Sequence, residues 1–387
     1  MLLVHGSSAI LKQPILGWWL LLPLLLVVTE KLYRFYRGFI PLEATVQLAE
    51  DNMVALSIKV RNKLSRFRPG QYIYLQIPSI SVFQWHPFTV SKITQDSIVI
   101  HIRTSAGNWT SSLTSTIDQT EGDQDGIKRF KVAMEGPYGS PSREFYRYND
   151  TIIFGAGIGI TPFSAILFDL FDKLNDKKSP WIDDAKNVQR QQKHHKKVNL
   201  SDTSTSSQGI SIADAAVEQG RVNSSSDDQL LRAILEKRSI SLHWTVKTSQ
   251  DLQWLSLLLN QLSSNLSVKI NIHLYVTQSD KDQSISTLIY RSLLDHHRVA
   301  SIEQKTSVLT GLIQTCHFAR PDLEAILDDY HRAYCSMEIH QRLRKVGVIY
   351  CGPISIGRVL SRKCQYLTSQ ARAESARLRY YYHSESF

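Results

Sequence analysis

Cysteine is scarce in this sequence. Only Cys316, Cys335, Cys351 and Cys364 occur in 387 residues, none spaced as C-x-x-C and all in the last quarter. That pattern argues against a disulfide framework or a zinc site and favours a reducing, cytosolic setting for the bulk of the chain. Acidic residues are also in deficit, 35 against 45 Lys and Arg, for a formal charge of +10. The excess is scattered over Lys31–Arg37, Lys193–Lys197 and Arg342–Lys345. No basic helix with interleaved aromatics appears, which speaks against nucleic-acid binding.

Long apolar runs are nearly absent as well. The exception is Pro14–Val28, PILGWWLLLPLLLVV. With Thr29, Leu32 and Tyr33 it approaches the roughly 20 residues that span a bilayer, and Pro23 is tolerated in such a helix. Lys31, Arg34 and Arg37 follow it, whereas Lys12 alone precedes it. The positive-inside rule then puts everything after Arg37 in the cytoplasm. A basic leader before the run and small residues after it are both missing, which speaks against a signal peptide. A single membrane span within residues 1–38 is the expectation.

What remains is 42% hydrophobic and long enough for two domains with real cores. Residues 39–147 alternate short strands and turns, as in ATVQLAEDNMVALSIKV, GQYIYLQIP and SIVIHIRTS. This predicts a small antiparallel β-barrel. From residue 148 onward the pattern changes. DTIIF runs into GAGIG and then ITPFSAILFDLFDKL, where Phe163, Ile166, Leu167, Leu170, Phe171 and Leu174 mark one helical face. Thr161 is read as the N-cap and Pro162 as the first helical residue. SISLHWTV, KINIHLYVT and VGVIYCGP are further apolar strands, so residues 148–387 predict an α/β parallel sheet. A polar, Ser-rich stretch from about 175 to 238 interrupts it and reads as a disordered insertion, with His194-His195 in a solvated loop.

Two stretches carry chemistry. Pro87, in His86-Pro87-Phe88-Thr89, has no N–H for a central ladder, so this tetrad suggests a strand end turned toward a ligand. Gly155, Gly157 and Gly159 form a strand–turn–helix phosphate cradle in principle. The full G-x-G-x-x-G is lacking, because Thr161-Pro162 stands where the last glycine would fall. After SISLHWTV comes Lys247, with no acid before Asp251. A cation there, with Arg320 as a second candidate, favours the 2′-phosphate of NADPH over the ribose of NADH. Cys351-Gly352-Pro353 ends the last apolar strand at the sheet's carboxyl edge. A small thiol there packs beside a nicotinamide; as a nucleophile Cys351 has no identifiable base.

In their order along the chain, His86–Thr89, His101-Ile102-Arg103, Asn108-Trp109-Thr110, Gly136–Gly139, Gly155–Phe163, His243-Trp244 and Cys351–Pro353 resemble the ferredoxin-reductase-like dehydrogenase region of NADPH oxidases and ferric reductases. The resemblance covers nearly the whole chain outside the insertion. It implies that the barrel binds FAD through His86, Pro87, Phe88, Thr89, His101, Ile102, Arg103, Trp109 and Thr110. It implies NADPH at Gly136, Pro137, Gly155, Gly157, Gly159, Thr161, Pro162, Lys247, Arg320, Cys351, Gly352 and Pro353. The terminal Phe387 would stack on the isoalloxazine and yield to the nicotinamide, with Cys351 beside it, a detail that favours an oxidase. The implied reaction is hydride transfer from NADPH to FAD, then single electrons onward to oxygen.

The family's membrane half holds haem between paired histidines. His5 resembles the last of these, but its partners are absent, so no haem or other metal is expected in this chain. The sequence looks like the C-terminal part of a larger oxidase. Its expected partners are the membrane (the plasma membrane in particular), NADPH, oxygen, and regulatory subunits or an intact oxidase. A ferric-chelate reductase and a truncated, non-catalytic subunit are the alternatives.

Overall fold

The computed structural model describes residues 15–38, 40–50, 53–60, 67–105, 109–124, 126–174, 238–264, 269–277, 289, 293, 298–300, 305–307, 310–336 and 343–385. The expected insertion falls outside the described residues apart from Arg238, as do His5, Asn108, His194, His195 and Phe387.

The first helix, α1 (Ile15–Gly38), contains Pro23. Its leucines from Leu20 to Leu26 are exposed. The apolar stretch stops at Thr29, because the following turns serve a different purpose. Arg34 pairs with Glu30 at 2.9 Å and reaches Glu135 at 3.7 Å. Its guanidinium lies 5.1 Å from the centre of the Tyr74 ring, and Phe35 stacks on Phe83 at 6.2 Å. Among the described residues no helix is long and apolar enough to cross a membrane.

The barrel follows. Its strands are β1 (Leu42–Glu50), β2 (Met53–Lys59), β3 (Tyr72–Gln76), β4 (His86–Ile93), β5 (Ser97–Arg103) and β6 (Arg129–Tyr138), closed in the order β1-β2-β5-β4-β3-β6. Period-2 alternation sets its interior: Val54, Leu56, Ile58, Ile73, Leu75, Ile98, Ile100 and Ile102 are all buried. Between β5 and β6 stands α2 (Trp109–Gln119), held by buried Leu113 and Ile117.

A second compact unit begins near Gly139. It opens with β7 (Asp150–Ala156) and α3 (Thr161–Leu174), then β8 (Ser239–Val246), α4 (Gln253–Ser264) and β9 (Lys269–Val276). A small antiparallel pair, β10 (Arg298–Ala300) and β11 (Lys305–Ser307), precedes β12 (Cys316–His317), α5 (Leu323–Ser336), β13 (Arg344–Cys351), α6 (Ile354–Ala373) and β14 (Leu378–Glu385). The six-stranded sheet runs β12-β9-β8-β7-β13-β14, with every pair parallel. One face buries Phe163, Ile166, Leu167 and Leu170 of α3 with Leu255, Leu258, Leu259 and Leu262 of α4. The other buries Leu327 of α5 with Leu360, Cys364 and Leu367 of α6. Each such aliphatic side chain contributes about 1.5–3 kcal/mol. Strand order reverses between β7 and β13, which creates a switch point at their carboxyl ends.

Candidate functional site

On β4, His86 lies opposite Leu75 and Phe88 opposite Ile73. Directly opposed residues share a face of the sheet. The Trp109 ring, at the start of α2, sits 4.4 Å from the His86 ring and 5.8 Å from that of Phe88. His86 Nε2 and Trp109 Nε1 are both buried and take no hydrogen-bond partner. Burial lowers the His86 pKa, which keeps the ring neutral. Two unpaired ring nitrogens at one point cost free energy unless a ligand supplies polar atoms. A flavin nucleotide, an aromatic body with many hydrogen-bonding groups, fits that requirement.

The other barrel residues are arranged around this aromatic group. Pro87 is exposed and Thr89 buried. At the end of β5, His101 is half-buried, Ile102 faces the interior and Arg103 is exposed. Thr110 Oγ1 accepts from the Ser105 N–H at 3.0 Å. Gly136 and Pro137, read with the nicotinamide nucleotide, lie on barrel strand β6.

The sheet unit gathers the remaining candidates at one edge. In register, Cys351 lies opposite Gly155, Gly155 opposite Trp244 and Trp244 opposite Leu274. Beyond Ala156 a 3-10 turn, Gly157–Ile160, leads into α3. Thr161 is therefore not the N-cap. Its φ of −57° and ψ of −40° are helical and the cap is Ala156, because the chain winds up four residues earlier than the Thr-Pro signal indicates. Thr161 and Pro162 are both buried.

The glycines here serve packing as well as approach. A Cβ on Gly159 would stand 2.3 Å from the Cys351 carbonyl oxygen and 3.3 Å from its Sγ. Gly157 has φ +58°, and its carbonyl accepts from the buried Trp244 Nε1 at 3.0 Å. Gly352 has φ +153°, with the Tyr350 hydroxyl 2.6 Å from where its Cβ would be. Tyr350 in turn donates to the carbonyl of Pro353 at 2.8 Å. The Cys351 thiol is fully buried, and burial with the Glu385 carboxylate nearby raises its pKa. Burial thus keeps the thiol protonated.

Lys247 follows the last residue of β8, and Arg320 lies just beyond β12; both are exposed. Each thus stands past the carboxyl end of its strand, on the same sheet edge. Asp251 does not compete with them, since its Oδ2 accepts the Thr248 N–H at 3.1 Å.

Two features escaped sequence reasoning. Glu385, opposite Cys351 in register, accepts from Ser140 Oγ at 2.7 Å and Ser142 Oγ at 2.8 Å. This fixes the end of β14 two residues before Phe387. On the sheet face toward α5, His243 is stacked on His273 at 4.6 Å and is hydrogen-bonded with the Tyr275 and Tyr330 hydroxyls at 3.2 and 3.0 Å. Burial, then the charges of His273 and His317, lower its pKa to about 3. The only signal for either was the polar interruption of an apolar strand.

Comparison with known proteins agrees with this geometry. Residues 39–142 match the model of an FAD-binding domain, and residues 148–365 that of a ferric reductase NAD binding domain. The chain is 26% identical to a superoxide-generating NADPH oxidase heavy chain of Dictyostelium discoideum, over 94% of this chain and 44% of that protein. It is 24% identical to NADPH oxidase 3 of Homo sapiens, over 97% of this chain and 54% of that one. The chain thus spans about half the length of these relatives, or less. A ferredoxin NADP+ reductase from Neisseria gonorrhoeae is similar with a TM-score of 0.45 and 10% identity, over 88% of this chain and 97% of that one. The α/β unit is a ferric reductase NAD binding domain preceded by an FAD-binding barrel, and the chain belongs to that ferric reductase family.

Proposed function

We propose that this chain is the electron-input module of an NADPH oxidase: it takes a hydride from NADPH onto FAD and passes single electrons on, ultimately to oxygen as superoxide. The observation that supports it best is the switch point at β7 and β13. There the Gly155–Ile160 turn and Cys351–Gly352 present close-packed backbone, with Lys247 and Arg320 on the same edge. Open α/β sheets bind nucleotides at such a point.

In this reading His86, Phe88 and Trp109 hold the flavin's ring system, and their unpaired nitrogens orient it. His101 and Arg103 face the pyrophosphate, where a guanidinium pairs with two oxygens. Pro87, Thr89, Ile102 and Thr110 shape the rest of the barrel site. Gly155, Gly157 and Gly159 admit the dinucleotide backbone to the turn, with Thr161, Pro162, Gly352 and Pro353 fixing its walls. Lys247 and Arg320 read the 2′-phosphate. Phe387, outside the described residues, would cover the flavin ring in the absence of nicotinamide, as the resemblance implies, and Cys351 would keep the sheet edge apolar. FAD supplies the step from a two-electron donor to one-electron acceptors. The exposed leucines of α1 seat the chain at a membrane, the plasma membrane in the oxidase reading, with both cofactor units on the cytoplasmic side. Regulatory subunits or an intact oxidase are its proposed assembly partners.

Membership of the ferric reductase family favours one other acceptor, a ferric chelate. The purified chain with added FAD is tested for NADPH-driven dye, ferric-chelate and oxygen reduction. Lys247→Ala and Arg320→Ala are each expected to raise the KM for NADPH about ten-fold, the worth of one charged hydrogen bond, and to leave the KM for NADH unchanged. Equal loss with both nucleotides refutes the 2′-phosphate reading. Absence of NADPH oxidation with FAD bound refutes the catalytic one and leaves the non-catalytic subunit.

A further inference from the structure

Away from the nucleotide edge, three potential metal ligands converge. His331 and Cys335 stand one turn apart on α5, and Glu374 caps the end of α6. Cys335 Sγ is 3.7 Å from His331 Nε2, and Glu374 Oε2 is 3.7 Å from the same nitrogen. All three ligand atoms lie within 4.8 Å of one another. The nitrogen–oxygen separation exceeds that of a good hydrogen bond, and the sulfur–nitrogen contact is a long, weak hydrogen bond. Zinc's bond lengths put a thiolate sulfur and an imidazole nitrogen about 3.6 Å apart, which the Cys335–His331 pair meets, and nitrogen and carboxylate oxygen about 3.3 Å apart, so Glu374 would move in by about 0.4 Å on binding.

The surroundings orient each ligand. His331 is buried, and its Nδ1 meets the Tyr380 hydroxyl at 3.2 Å. That is how a ligating histidine is usually held, with the other nitrogen left for the ion. Glu374 Oε1 accepts from Gln370 Nε2 at 2.7 Å, which leaves Oε2 directed at His331. A thiolate and a carboxylate neutralise a divalent cation, so the occupied site carries no net charge. Without an ion, burial and the Glu374 carboxylate raise the Cys335 pKa. The scarcity and spacing of cysteine argued against a zinc site, but this set comes from two helices and needs no C-x-x-C.

We propose that His331, Cys335 and Glu374 form a binding site for one divalent transition-metal ion of the zinc class, with its fourth position open to water. Binding deprotonates the Cys335 thiol and releases that proton to solvent. The site joins α5 to the turn between α6 and β14, the strand that leads to the C-terminus. It is separate from the proposed nucleotide site.

The test is titration of the full chain with Co2+ as the spectroscopic probe, followed by competition with Zn2+. One equivalent of Co2+ is expected to give a thiolate-to-cobalt charge-transfer band that Zn2+ abolishes. Cys335→Ser is expected to remove the band. Glu374→Gln, at a partly exposed position, weakens binding at least ten-fold, and Tyr380→Phe weakens it about ten-fold by loosening the histidine. Circular dichroism identifies any variant that fails to fold, and the other two then carry the test. No band at saturating Co2+, or a full band in folded Cys335→Ser, overturns the proposal.

Discussion

Gly159→Ala places the most demanding load on the proposed nucleotide site. The added methyl would stand 2.3 Å from the Cys351 carbonyl oxygen, 2.8 Å from its carbonyl carbon and 3.3 Å from Sγ. Ordinary carbon–oxygen contact is about 1 Å longer. The obstructing atoms belong to the end of a buried strand paired on both sides, β7 and β14, so β13 cannot yield and the turn must. Overpacking of this kind costs about 1–3 kcal/mol. A turn displaced by about 1 Å at a reacting site lowers the rate about 100-fold. The assay is NADPH-driven dye reduction with FAD, with flavin retention measured in parallel. Because Gly159 lies in the sheet unit and the FAD candidates in the barrel, the expected result is kcat/KM down about 100-fold with FAD retained. A variant within two-fold of wild type would show that the Gly155–Ile160 turn does not set the nucleotide site.

Acidification should destabilise the sheet unit through His243. Its folded pKa of about 3 lies below the ordinary 6.5. The unfolded chain therefore binds the extra proton, and the stability present above about pH 6.5 is lost as pH falls toward 3. One such group removes about 2 kcal/mol by pH 5, and His273, likewise shifted down by burial, adds to the slope. Urea midpoints at several pH values measure it; His243→Phe should flatten the acid limb, and an unchanged limb counts against the assignment. Trp109→Ala removes ring contacts to His86 and Phe88 worth about 0.5–1.5 kcal/mol each to the folded barrel and unfixes the proposed flavin platform, so FAD affinity, read by fluorescence titration, should fall. Trp109→Phe should restore much of it.

The strands were legible because their apolar alternation matches a closed barrel and their continuous apolar runs match a buried parallel sheet. VGVIYC, buried from Val346 to Cys351 on β13, is the clearest example. Helix α2 was not legible. WTSSLTSTIDQ is rich in Ser and Thr, which are weak helix formers, and only Leu113 and Ile117 mark its inner face. The Thr161-Pro162 signal misplaced a helix start because a 3-10 turn held by Trp244 precedes it. Gly155, Gly157 and Gly159 could be read as a turn, but the reason for Gly159 is the backbone of Cys351, remote in sequence. Glu385 was hidden for the same reason: the serines that hold it lie near the start of the sheet unit. Apolar composition alone did not reveal the second half of α1, where Glu30 and Arg34 face Tyr74 and Glu135.

Anaerobic mixing of NADPH with the desalted, FAD-loaded chain tests the central claim most directly. The account predicts that flavin absorbance stays with the protein through desalting and then bleaches on NADPH addition, faster than with NADH. A chain that emerges without flavin, or one whose bound flavin stays oxidised in excess NADPH, contradicts it.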